Sequence, residues 1–216
     1  MEQKILTDIQ KKVIIAVGNE LNFKGFYLSG GTALTACYLQ HRFSDDLDFF
    51  CFDEPDRAFL HSFAEKLKEI IGADEMVYEK IYDRSQFNFK FGKGELKIEF
   101  TKYPFKQLEE TIDWQNIKID SLRDIAANKL MTMIDRFDPK DFVDLYFLIQ
   151  NFKLEDIKRD TEKKFETKIG DMLLGGELAK VKRIEALPRM IKKITIKELK
   201  DFFEKTAKEL ERKILE

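Results

Sequence analysis

Two adjacent glycines, Gly30 and Gly31, constrain this chain more than any other feature. They break an apolar run, Phe26-Tyr27-Leu28, that reads as a short buried strand. They also precede a helical pattern from Thr32 to Gln40, with Ala33, Leu34, Ala36, Cys37 and Tyr38 as its apolar content. A polar loop containing His41, Arg42, Ser44 and Asp45 then leads into a second strand pattern, Asp46-Leu47-Asp48-Phe49-Phe50. A strand that turns through glycine into a helix leaves backbone N–H groups pointing outward at the helix start, a natural place to hold phosphate. Strand side chains alternate faces, so Asp46 and Asp48 share one face about 7 Å apart. Carboxylates at that spacing can share divalent cations. A phosphate cradle facing an acid pair points to phosphoryl or nucleotidyl transfer.

A length of 216 residues suffices for one large domain or two small ones, and 44% hydrophobic with 36% charged residues fits a globular chain with a real core. Cys37 and Cys51 lie in or beside apolar runs without metal-type spacing, which reads as two reduced core thiols. The charged N-terminus lacks the apolar stretch of a signal peptide. No run approaches the roughly 20 apolar residues of a membrane span. The expectation is a cytoplasmic protein with no membrane partner. Charge is uneven: residues 1–150 hold 20 Lys/Arg and 26 Asp/Glu, whereas residues 151–216 hold 18 and 14. The basic C-terminal third reads either as solvated helix faces or as a lobe that steers a polyanion.

Around the central stretch, apolar residues at four-residue spacing (Ile5, Ile9, Val13, Val17, Leu21) predict a helix over 3–22, with Gly25 as its C-cap. Asp53 is expected to cap a helix from about Pro55, carrying Phe59, Phe63, Leu67, Ile70 and Ile71 and stopping at Gly72. Residues 76–102 read as β-structure, with Gly92-Lys93-Gly94 as a hairpin turn. In the return strand Leu96, Ile98 and Phe100 face the core, so Glu99 lies on the other side beside Lys97. Alone, Glu99 is an ordinary solvent-facing strand residue; downstream of an Asp-x-Asp pair it becomes a candidate third acid. A helix follows over 121–137, with Ser121 and Asp124 as a capping box and Lys129 in mid-helix among apolar neighbours, where a lysine either snorkels to water or meets an anion. Asp138-Pro139 restarts a helix through 151. Asp141 and Asp144 share a face, with Arg136 and Lys140 near enough to pair with them. Residues 152–216 read as all helical. A Thr195/Glu198 capping box opens a last helix whose stripe is Leu199, Phe202, Phe203, Leu210 and Ile214. The domain boundary falls softly at residues 105–120, giving a first domain over 1–115 and a helical one over 116–216.

The strings SGGTAL…HRFSDDLDFF and NKL…DRFDPKDFVDL resemble the AbiEii/AbiGii toxin family of the nucleotidyltransferase superfamily. The superfamily pattern maps to Gly31-Thr32, thirteen residues, Asp46-Leu47-Asp48, and then Glu99. The match covers residues 26–52 and 121–148, and more weakly 96–100. One departure is Lys140-Asp141, where the family motif reads Arg-Asp; this keeps the charge but alters any bidentate contact. The resemblance implies an α+β fold: a small mixed sheet flanked by helices, followed by a C-terminal helical lobe. It implies a Mg²⁺-dependent enzyme that moves NMP from NTP to an RNA acceptor (a tRNA 3′ end) or a protein hydroxyl, releasing pyrophosphate. Asp46, Asp48 and Glu99 would hold the metal. Gly30, Gly31, Thr32, Arg42 and Ser44 would contact nucleotide. Lys129 would neutralise triphosphate charge, and Asp141 would orient Lys129 or the acceptor. A toxin of this kind implies a cognate antitoxin. Two other readings are open at this point: a small-molecule, antibiotic-type nucleotidyltransferase, and a non-catalytic nucleotide- or partner-binding module.

Overall fold

A computed structural model describes residues 5–215, with side chains described through Arg212. Residues 3 and 4 of the expected first helix, and the side chain of Ile214 in the expected last stripe, lie outside what is described. The chain forms two compact units, residues 1–38 with 44–121 and residues 39–43 with 122–216. The boundary expected near 115 instead falls in the turn of a hairpin that belongs to the first unit.

The first unit is built on a seven-stranded mixed sheet. Its strands are β1 (Phe26–Ser29), β2 (Leu47–Cys51), β3 (Glu75–Ile81), β4 (Arg84–Lys90), β5 (Glu95–Lys102), β6 (Ile112–Trp114) and β7 (Ile117–Ile119), in the spatial order β3-β4-β5-β2-β1-β7-β6. β2 pairs with β1 antiparallel and with β5 parallel, which draws the segment near residue 100 to the centre of the sheet. Alternation does the sorting: Leu47, Phe49, Phe87, Phe89, Leu96, Ile98 and Phe100 all point into one core. Phe23 joins that core, stacked on Phe100 with ring centroids 5.0 Å apart and edge-on to Phe63 at 4.7 Å.

The helices of this unit depart from expectation at their ends. α1 (Asp8–Gly18) begins at a capping box made by Thr7 and Gln10, and its buried residues are Gln10, Val13, Ile14 and Val17. Leu21, expected on the stripe, is 72% exposed. Residues spaced by four drift about 40° per step around a 3.6-residue helix, so five of them cannot all face one core. Gly25 does not cap this helix; it directly precedes β1. α3 (Arg57–Ile71) is capped by Asp56 rather than Asp53, its Oδ1 accepting from the Ala58 and Phe59 amides, and it stops at a left-handed Gly72 as expected. The β6–β7 hairpin was not anticipated. Its strands are three residues long, too short to show a period, and Gln115 and Asn116 both take positive φ in the turn.

The second unit is helical: α4 (Leu122–Asp135), α5 (Pro139–Ile149), α6 (Leu154–Lys164), α7 (Asp171–Ala179) and α8 (Ile196–Leu215). Asp138 caps α5 with proline in the first turn, and the Thr195/Glu198 box forms as read from sequence. The buried Lys164 ammonium lies 2.6 Å from Asp124 and ties α6 to α4. Phe142 and Phe203 meet edge-on at 5.5 Å between α5 and α8. Residues 39–43 join this unit through backbone bonds. Phe43 N–H donates to the Arg189 carbonyl at 2.8 Å, and Ile191 and Lys192 N–H donate to the His41 carbonyl at 2.9 Å. Among the described residues, no helix is long and apolar enough to cross a membrane.

Candidate active site

In the first unit, β2 carries Asp48, and Asp46 stands just before the strand. Asp48 is the register partner of Glu99 on β5 and of Ser29 on β1. Register partners project to the same face, about 4.8 Å apart across the strands. The two acids, 51 positions apart in sequence, are therefore neighbours. Glu99 is only 6% exposed, so the solvent-facing reading of this residue is wrong. Lys97, two residues before it on the same face, holds its ammonium 2.9 Å from Glu99 Oε1 and 3.4 Å from Asp46 Oδ2. Arg84 approaches the other Glu99 oxygen at 3.9 Å. Burial alone would lower the Lys97 pKa, but Glu99, Asp46 and Asp48 outweigh it and hold the ammonium above its ordinary value. Among the described residues, no three His, Cys, Asp or Glu side chains already converge as a metal set.

The glycine turn packs on this face. Gly30 begins α2 (Gly30–Ala33), which widens into a π-helical turn over Leu34–Leu39. Gly30 has φ +67°, and a Cβ there would sit 2.3 Å from Asp48 Oδ2. Glycine is required twice over, for its left-handed backbone and for the carboxylate seated against it. The Thr32 hydroxyl is not left for phosphate as expected: Thr32 is buried, and its Oγ1 donates to the Asp46 carbonyl. Ser44 is half-buried, and its carbonyl accepts from Gln10 Nε2 at 2.9 Å, while the Asp45 carbonyl accepts from the same amide at 3.2 Å. Gln10 thus steadies the approach to the acids. It went unnoticed because a glutamine on a helix gives no sequence signal of being buried. The Ser29 hydroxyl donates to Asp120 Oδ2 at 2.7 Å, which fixes the end of β1.

In the second unit, the charged residues form a network around Asp144, fully buried on α5. Arg42 donates to it bidentately, through Nε at 2.6 Å and a terminal nitrogen at 2.8 Å. His41 Nε2 lies 2.7 Å from Oδ1, and the Lys129 ammonium 2.6 Å from Oδ2. Lys129 also donates to Asp141 at 3.0 Å, and Arg136 donates to Asp141 at 3.2 Å. Lys140, at the family motif's arginine position, is exposed. Burial would raise the Asp144 pKa, yet Lys129 and Arg42 together hold it well below the usual carboxylate range. Burial pushes His41 down, against the pull of Asp144, so its neutral form is favoured. Two expectations change here. Arg42, read as a nucleotide contact, is 2% exposed and spends its guanidinium on Asp144 and the Phe43 carbonyl. Lys129, read as a triphosphate counter-charge, is compensated by two carboxylates. Asp144 is the hub; the sequence reading gives it to fixing the helix pair, and its contact with Lys129 joins α4 to α5, but its bonds to His41 and Arg42 were not read. Its three-residue spacing from Asp141 was visible, but its partners at 41 and 42 are about a hundred positions away.

Both cysteines are free thiols, Cys51 buried in the core and Cys37 half-buried. Burial pushes Cys37 up to about 11 and Cys51 up to about 12, so both stay protonated at neutral pH and neither is a nucleophile.

The fold is that of proteins assigned to nucleotidyl transfer. A crystal structure of a candidate nucleotidyltransferase from H. pylori superposes with a TM-score of 0.64 at 20% identity, covering 96% of this chain and 97% of its own. That of JHP933 from Helicobacter pylori superposes at 0.56 with 23% identity, covering 99% and 96%. An uncharacterized protein of Aquifex aeolicus (strain VF5) is 31% identical over 161 residues, 73% of this chain and 72% of the relative. Residues 16–214 match the family model described as nucleotidyl transferase AbiEii toxin, type IV TA system. The chain belongs to the AbiEii nucleotidyltransferase toxin family.

Proposed function

We propose that this protein transfers NMP from NTP to a hydroxyl of RNA, at a tRNA 3′ end, or of protein. The observation that carries this reading is the pairing of Asp48 with Glu99 across β2 and β5, against a glycine turn with no room for a side chain. The donor set fits magnesium: Asp46, Asp48 and Glu99 offer only oxygen, which suits Mg²⁺ with phosphate. The Lys97 ammonium between Asp46 and Glu99 is itself a stand-in cation at that place. When bound there, Mg²⁺ would neutralise the triphosphate and the charge developing on the attacking and leaving oxygens.

The chain's own residues then divide the work. Gly30 and Gly31 let backbone approach the β- and γ-phosphates. Thr32 fixes the backbone of Asp46. The acceptor hydroxyl forms a new oxygen–phosphorus bond at the α-phosphorus, the bond to the bridging oxygen breaks, and pyrophosphate leaves with its electron pair. The hydroxyl proton passes to Glu99 or to solvent. We assign Lys129, Asp141 and Arg42 a positioning role: with Asp144 they anchor residues 39–43, the segment that runs directly into Ser44–Asp48. The basic residues beyond 150 favour RNA over protein as acceptor. A cognate antitoxin is a further expectation of the toxin–antitoxin family.

The test is incubation with each α-labelled NTP, Mg²⁺ and either total tRNA or a cell lysate. Label should enter RNA or protein, pyrophosphate should appear, and Asp48→Ala should abolish both. Label confined to small molecules would favour the antibiotic-type reading. No label in any fraction, from folded protein, overturns catalysis.

A further inference from the structure

We propose that Lys97 is a tethered gate on the cation site, which makes metal binding depend on nucleotide. The inference rests on the reading of Asp46, Asp48 and Glu99 as metal ligands. Its basis is positional. Lys97 lies on β5 one step before the Leu47–Ile98 register pair, and Asp46 lies one step before the same pair, just ahead of β2. The lysine stem therefore rises beside Asp46, and its ammonium spans the gap to Glu99, touching both outer acids of the trio. Glu99 has its second oxygen near Arg84, so each of its oxygens already faces a cation. A divalent ion that binds these carboxylates must displace the ammonium from them.

The gate can open because of what holds it. The Lys97 side chain is 32% exposed, so solvent reaches it and its long stem has somewhere to swing. Once displaced, the ammonium needs a new anion. A triphosphate at the neighbouring glycine turn would supply one, and lysine suits phosphate as a movable point charge. Metal alone must displace the ammonium without that compensation, whereas metal with nucleotide offers the exchange in one event. The consequence is a protein that takes up Mg²⁺ weakly until NTP arrives. Until then Lys97 keeps three neighbouring carboxylates from repelling one another out of register.

Binding of manganese(II), followed by the electron-paramagnetic-resonance signal of the free ion and corrected with protein-free mixtures for the ion that nucleotide itself holds, tests this with and without a non-hydrolysable α,β-methylene NTP mixture. Wild type should bind Mn²⁺ weakly alone and tightly with the analogue. Lys97→Met should bind it about tenfold or more tightly in the absence of nucleotide, since the ammonium competes for the same oxygens and a neighbouring cation lowers a carboxylate's affinity even for a proton by about one to three decades. Lys97→Arg keeps the charge and should resemble wild type. Thermal melts of each variant confirm that the fold is intact. Equal Mn²⁺ affinity for wild type and Lys97→Met, with Asp48→Asn abolishing binding, overturns the gate and leaves the metal site standing. Equal tightening by Lys97→Met and Lys97→Arg also overturns it, because charge is then not the cause. Absence of Mn²⁺ binding in wild type and Lys97→Met, with and without the analogue, overturns the metal site itself.

Discussion

Gly30 shows how one missing side chain can set a site. Its φ of +67° costs a non-glycine residue about 1–2 kcal/mol. The larger effect is that an alanine Cβ would lie 2.3 Å from Asp48 Oδ2. Gly30→Ala should therefore cost nucleotidyl transfer about a hundredfold, as an ångström of misplacement does, while lowering thermal stability only modestly. A melt beside a labelling assay separates the two effects, and near-wild-type activity would contradict the seating of Asp48 on this turn. Asp144 is the opposite case, a charge whose removal leaves others stranded. Asp144→Asn leaves Arg42 and Lys129 short of a buried partner and should destabilise by about 3–5 kcal/mol in urea unfolding. The pH dependence has a definite sign. The native pKa of Asp144 is depressed, so its stabilisation is complete above the ordinary carboxylate value of 3.8 and is lost as pH falls through the lower native value. His41 is also depressed, so its contribution is complete above 6.5 and declines as pH drops below that. Acid titration by circular dichroism should show the steepest loss below about pH 4, shallower in Asp144→Asn.

At the scale of elements, caps and buried pairs decide where helices begin and how they are held. α1 owes its start to the reciprocal bonds of Thr7 and Gln10. Thr7→Ala should cost about 1 kcal/mol, measured as a shift in the urea midpoint with unchanged slope. The tie between α4 and α6 depends on Lys164 and Asp124, both fully buried. Lys164→Met leaves a buried carboxylate short of its cation and should cost about 3 kcal/mol or more, several times the effect of losing an exposed pair such as Lys205–Glu209. Elements also mark where pattern reading succeeds. The Leu96/Ile98/Phe100 alternation was legible because its strand puts one face into an apolar core. The β6–β7 hairpin was not, because three residues carry no period.

At the scale of the molecule, the two units are not two consecutive stretches of chain. Residues 39–43 leave the first unit's span and belong to the second, held by Asp144 and by backbone bonds to residues 189–192. A fragment of residues 122–216 alone would lack His41 and Arg42, so Asp144 would keep the Lys129 ammonium but lose the guanidinium and imidazole bonds. Such a fragment should show weaker hydrogen-exchange protection in α4 and α5 than the full chain, and adding a peptide of residues 39–43 should restore part of it. Full protection without the peptide would mean that the inserted segment contributes nothing to the second unit.

Local chemistry alone determined the strand–glycine–helix turn, the Asp-x-Asp strand, the helical C-terminal third and the family, because each is written in residues within reach of one another along the chain. What only folding decided is which distant groups meet. β5 pairs in register with β2, and that pairing makes Glu99 a neighbour of Asp48 and brings Lys97 to Asp46. In the second unit, folding sends Arg42 and Lys129 to Asp144, out of the roles their charges suggested. A lone charge looks the same in sequence whether it ends beside water, a ligand or another buried charge. The difference is made by burial and pairing, which exist only once the tertiary structure has formed.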